Sequence, residues 1–194
     1  MIERYISLLA QLKKLSQDTE LKVLEDSADA FITDNVNFFT KSFMITLCAY
    51  LESYVKDLSM LFIDHINIKL ADLNLPHNLV RWSVLKKDKL LEFNDSEYKY
   101  ENLKIKIKKK ELDEFISGSP HRTEVLFRKF GIELYKDEKF NDLKEKINSI
   151  VVKRNKIVHH NDNASDLSFV DIEANIMVVE EYILNLNEII KSKF

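Results

Sequence analysis

Gly118 and Gly131 are the only glycines, and Pro76 and Pro120 the only prolines, in a chain of 194 residues. Tight turns and hairpins draw on both residue types, one for positive φ and the other for a fixed φ near −65°. A chain this poor in them cannot supply the frequent reversals of a sheet protein. It is restricted to long helices with few connections, so the sequence predicts an all-α fold.

Hydrophobic spacing agrees. Ile2, Tyr5, Leu9 and Leu12 step by three and four, predicting a helix from residue 2 to about 30. A second is expected from about Val36 to Leu70, with Leu47, Leu51, Tyr54, Leu58, Leu61, His65 and Ile68 along one side. Phe43 to Leu51 is apolar almost all round, as in a central helix buried on most sides. Asn74-Leu75-Pro76-His77-Asn78 ends that helix and opens a less regular middle insertion. There Tyr98, Tyr100, Leu103, Ile105 and Ile107 alternate with one slip, which fits a short strand or a basic amphipathic loop.

Ser117-Gly118-Ser119-Pro120 is the clearest turn signal, followed by a short helix from His121 to Phe130 closed by Gly131. A helix from about Lys139 carries Leu143, Ile147, Ile150 or Val151, Arg154 and Val158 on one side, and Asn161-Asp162-Asn163 favours a cap or turn after it. The last helix holds Phe169, Ile172, Ile176, Val179, Ile183, Leu186 and Ile190, with Ser165, Asp166 and Ser168 as candidate N-caps. No linker, repeat or low-complexity segment interrupts the chain, so one helical domain over residues 1–194 is expected.

The bulk chemistry narrows the function. A net charge of −3 does not belong to a general nucleic-acid binder, so any RNA site must be local. The single cysteine, Cys48, sits in an apolar run and reads as a buried core residue in a reducing compartment. No secretory signal is apparent at Met1-Ile2-Glu3-Arg4, and the most apolar run is too short to span a bilayer. A cytoplasmic protein without membrane contact is expected. Two isolated glycines cannot build a phosphate-binding glycine loop. One cysteine, and adjacent rather than spaced histidines at 159 and 160, do not suit a metal site, so neither metal nor other cofactor is expected.

What remains is Arg154-Asn155-Lys156-Ile157-Val158-His159-His160. An arginine binds a phosphate and stabilises charge developing on it, and a histidine moves protons. Together they are what RNA cleavage without a metal requires. Five arginines and five histidines at three allowed spacings give about 0.4 matches by chance, so context must carry the case. Arg154 follows Ile147 and Val151 on the apolar side of its helix, where a charge needs a partner or a purpose. His159 stands about 140° away on an ideal helix, so the two converge more easily if the helix ends near His159 or if two copies meet across an axis. The plain structural reading pairs Arg154 with a core-edge carboxylate and leaves His159 and His160 as helix-end residues.

At these residues the chain resembles the HEPN superfamily, whose signature is an arginine, four to six residues and a histidine, with a polar residue after the arginine. Arg154, Asn155 and His159 fit it. Leu51-Glu52-Ser53-Tyr54, the run Leu126 to Ile132 after a Ser-Pro turn, and the Arg-Asn-x-x-x-His stretch before the last helix look like the RiboL-PSP-type branch, over roughly residues 36–190. The resemblance implies a HEPN-like bundle with long central helices, commonly a homodimer bringing two Arg–His sets into one cleft. It implies a metal-independent endoribonuclease of a toxin–antitoxin, abortive-infection or phage-defence system, with RNA as substrate and an antitoxin or other defence protein as partner. Arg154 and His159 would be catalytic. Asn155 would orient the arginine or bind phosphate, Glu52 would position Arg154 or His159, and His160 would stand as a substitute for His159. Lys153, Lys156 and the lysines of 104–110 would be candidates for the RNA backbone. A different class of reading is a HEPN-like domain without catalysis, serving as an RNA- or nucleotide-binding or protein-interaction module.

Overall fold

A computed structural model describes residues 1–25, 29–85, 100–160 and 166–194, with the side chains of Leu85 and His160 also outside the description. Tyr98, the Asn161–Asn163 turn and the cap candidate Ser165 therefore lie beyond it. Seven α-helices account for most of the described chain: α1 (Ile2–Leu24), α2 (Ala30–Asp34), α3 (Val36–Asp72), α4 (His77–Leu85), α5 (Pro120–Lys129), α6 (Glu138–His160) and α7 (Phe169–Lys191).

The first helix stops earlier than its spacing suggests. Glu25 turns extended after Leu24, and Asp29 starts the short α2 by accepting a hydrogen bond from Phe31 N at 2.8 Å. Before that break the predicted stripe is buried, with Tyr5, Leu9, Leu12 and Ser16 facing inward.

Helix α3 is the central element, packed by α1, α6 and α7. Leu47, Leu51, Tyr54 and Leu58 are fully buried as expected, but the seam then moves to Phe62 and Ile63, while Ile68 is 66% exposed. A 3.5-residue repeat drifts about 20° per heptad on a straight helix, so a stripe extrapolated over three heptads leaves the core. Polar ties fix the packing: Tyr54 Oη donates to the Ile183 carbonyl at 2.8 Å, and Tyr5 Oη donates to Asp57 Oδ2 at 2.7 Å.

Pro120 occupies the first turn of α5, where its missing N–H is harmless. Gly131, at φ +76°, closes that helix: its N–H donates to the Arg128 carbonyl and Ile132 N–H to the Phe127 carbonyl, both at 3.0 Å. That is the Schellman arrangement, with the buried Ile132 covering the end. Ser168, rather than Asp166, caps α7, in reciprocal bonds with Asp171. The inner side of α7 is buried at each position expected from Phe169 to Ile190.

The middle contains no strand among the described residues. Residues 100–108 form no regular element beyond one isolated bridge between Pro76 and Asn102, and lead into a 3₁₀ turn at Lys109–Leu112. No described helix is long and apolar enough to cross a membrane.

Candidate functional site

Helix α6 presents Leu143, Ile147, Ile150 and Ile157 to the core, spaced four, three and seven. Arg154 fills the gap between the last two. It thus takes a core position, and Ile157 continues the seam where Val158 was expected, Val158 being 48% exposed. A guanidinium cannot be left there unpaired.

Its partner is Glu52 on α3. Arg154 Nη2 donates to Glu52 Oε1, with the two side chains 17% and 30% exposed. Cys48, one helical turn before Glu52 and fully buried, also lies within hydrogen-bonding reach of the guanidinium. Burial pushes the Cys48 thiol up, and the neighbouring Arg154 charge opposes that shift. Glu52 thus holds the arginine, and Cys48 stands beside it on the same face of α3, at an i, i+4 spacing to Glu52.

The third wall is the turn at Gly118. A Cβ added there would stand 3.2 Å from Val151 Cγ2 and 3.6 Å from both Glu52 Cγ and Glu52 Oε1. With φ at +70°, this backbone belongs to glycine, and the missing side chain lets the turn close over the Glu52–Arg154 pair. The sequence marked Gly118 as a turn and Cys48 as core, without linking either to Arg154. The i, i+4 spacing of Cys48 and Glu52 was the available signal.

The remaining predicted residues stand apart from that pocket. His159 is exposed on the last turn of α6, which runs on to His160. It lies about 140° around the helix from Arg154 and about 7.5 Å further along it. Asn155 is half-buried and Lys156 exposed. The side chains of His159, Asn155 and Lys156 form no ion pair or hydrogen bond with other described residues. Lys153 pairs with Asp166. Thus one chain brings Arg154, Glu52, Cys48 and Gly118 together and leaves His159 exposed and Asn155 half-buried, neither bonded to that group. Among the described residues, no group of three or more His, Cys, Asp and Glu side chains is arranged to hold a metal ion.

Among the described residues the chain is an all-helical bundle built on two long packed helices, α3 and α6, with α1 and α7. The profile of the RiboL-PSP-HEPN family matches residues 2–192, and the chain belongs to that family. The match takes in α1, which the quoted motifs had left out. No curated protein and no solved structure matches the chain. A HEPN-type ribonuclease or RNA-binding module is the general function such membership supports.

Proposed function

We propose that the chain is a metal-independent endoribonuclease whose working site forms between two copies. The observation that carries this reading is the placement of Arg154. A cation occupies a core position of α6, fixed by Glu52 beside the buried Cys48, yet its side chain stays 17% exposed. Of five guanidinium N–H donors, the one bonded to Glu52 and any shared with Cys48 leave others for a phosphate.

In the reaction, Arg154 binds the scissile phosphate and stabilises the charge that builds on its oxygens. His159 takes the proton from the ribose 2′-OH, or delivers one to the departing 5′-oxygen. The 2′-oxygen forms the new P–O bond as the 5′-oxygen leaves, giving a 2′,3′-cyclic phosphate and a 5′-OH. Because His159 points away from Arg154 within one chain, its Arg154 partner comes from a second copy. Asn155 shares the exposed side and meets the phosphate there, and Lys156 adds backbone charge. On this reading the protein acts as the toxic or effector component of a prokaryotic defence system, restrained by an antitoxin or similar partner.

The test is cleavage of a mixed RNA pool in EDTA by the wild type, Arg154→Ala and His159→Ala. Cleavage by the wild type alone, leaving cyclic-phosphate ends, is expected. Equal cleavage by all three refutes the assignment. Silence from all three, with circular dichroism unchanged, favours a binding module without catalysis.

A further inference from the structure

The irregular segment from Tyr100 to Lys108, and the 3₁₀ turn that follows it, are tied to α3 and to the turn after it at several points. Asn67 on α3 clamps it from both sides, donating to the Ile105 carbonyl at 3.1 Å and accepting from Ile105 N at 2.7 Å. Leu103 N donates to the Leu75 carbonyl at 2.7 Å, and His77 N to the Glu101 carbonyl at 2.9 Å. Lys109 pairs with Asp57 on α3, and beyond it Asp113 pairs with Lys56. Asp57 is itself gripped by Tyr5 from α1. Burial alone would raise its carboxyl, but hydrogen bonds from Lys109 and Tyr5 hold it below the ordinary value.

Pinning fixes which way each side chain points. Leu103 and Ile105 are half-buried while Lys104 and Lys106 beside them are exposed, as are Ile107 and Lys108 beyond. In extended backbone such a row repeats every 6.6 Å or so, about the spacing of an extended polynucleotide chain. Five of the seven residues from 104 to 110 are lysines, in a chain whose net charge is −3. Lys106 reaches Glu101 at 3.6 Å, an exposed contact of little weight. Lys104, Lys108 and Lys110 have no acidic partner among the described residues.

The row also leads somewhere. Its anchors on α3 run backward through Asn67, Asp57 and Lys56, and the chain then enters the Gly118 turn over Glu52. Asn67 and Glu52 are about 22 Å apart along the helix, and Asp57 and Glu52 about 7.5 Å. We infer that residues 100–110 form a backbone-binding tract for single-stranded RNA, laid along α3 so that a strand seated at Arg154 meets the lysines in succession. Tyr100, 67% exposed with its hydroxyl tied to the Asn74 carbonyl at 2.8 Å, offers a ring for a base at the far end. The inference rests on RNA being the ligand of the Arg154 site.

The experiment compares full-length His159→Ala, which is not expected to cleave, with the same chain also carrying K104Q, K106Q, K108Q and K110Q. Fluorescence anisotropy of a single-stranded RNA 20-mer is followed from low to high salt, with circular dichroism as the folding control. Removing four phosphate contacts at about 0.7 each should lower the slope of log affinity against log salt by about 2 to 3. Near 0.1 M salt, affinity should fall about tenfold or more. Equal slopes and affinities overturn the tract while leaving the RNA reading intact. Failure of the unsubstituted chain to bind RNA, together with failure of the wild type to cleave it, overturns both. Tighter lysine-dependent binding of polyglutamate than of RNA overturns the tract in favour of an acidic protein partner.

Discussion

Arg154 and Glu52 lie 102 residues apart in sequence and meet side chain to side chain where α6 packs on α3. The pair is neither fully buried nor free in solvent, and that intermediate position governs its energetics. A buried ion pair adds little over a well-packed apolar pair, because the charges give up hydration to meet. An arginine kept at a core position for stability alone has little to recommend it.

The double variant Arg154→Met with Glu52→Gln should accordingly be about as stable as the wild type, whereas Arg154→Met alone strands the Glu52 carboxylate and should cost about 1–2 kcal/mol. Both should lose RNA cleavage. Glu52→Gln alone leaves the guanidinium without its counter-charge and should cost about 1–2 kcal/mol. Urea midpoints measured beside cleavage rates decide this. A large destabilisation of the double variant would make the pair structural.

The opposed orientations of Arg154 and His159 predict rescue by mixing. Neither Arg154→Ala nor His159→Ala should cleave RNA alone. If each site takes its arginine from one copy and its histidine from the other, a mixed dimer keeps one intact site. Unfolding and refolding an equimolar mixture should then restore about a quarter of wild-type activity. No recovery, with dimers shown by sedimentation, would place both residues of a site in the same chain.

Long-period patterns in this sequence were legible because burial enforces them. The inner side of α7, the end of α5 at Gly131 and most of the α3 seam follow from local spacing and from one glycine at positive φ. The ends of patterns were harder to read. Val158 and Ile68 extend their stripes on paper, but helical drift carries them to the surface, and Ile157 takes the core position instead. At the site, Arg154 announced itself as a charge on an apolar side. Its pairing with Glu52, its contact with Cys48 and the Gly118 turn above it are tertiary facts, set by packing between distant segments. The lysine row was visible as composition, but its orientation depends on Asn67 and Asp57.

Gly118 and Gly131 share a left-handed backbone and differ in their surroundings, which separates two effects. Alanine at either position should cost roughly 1–2 kcal/mol for backbone strain. At Gly131 nothing lies within 4 Å of the added Cβ, so the loss should end there. At Gly118 the Cβ crowds Val151 at 3.2 Å and comes into ordinary contact with Glu52 at 3.6 Å, adding about 1 kcal/mol and shifting the wall of the site at Val151. Gly118→Ala should therefore also lose cleavage activity, while Gly131→Ala should retain it at temperatures where both are folded. Equal activities would detach the turn from function.

A final prediction concerns acid. Glu124 on α5 is 8% exposed and accepts from Lys144 on α6 at 2.9 Å and from Arg128 at 2.8 Å. The Lys144 hydrogen bond, against the opposing effect of burial, holds its carboxyl below the ordinary value of 4.5. A carboxyl whose folded value is depressed favours the folded state fully above its unfolded value, and that contribution disappears as pH falls through the folded value. Stability should therefore decline as pH drops below about 4.5. Glu124→Gln should be less stable than the wild type at pH 7 by about 1–2 kcal/mol, since it keeps the shape and loses the charge-assisted bonds. Its stability should also change less as the pH falls below about 4.5. Parallel acid limbs for the two proteins, followed by circular dichroism, would remove Glu124 from the contacts that fasten α5 to α6.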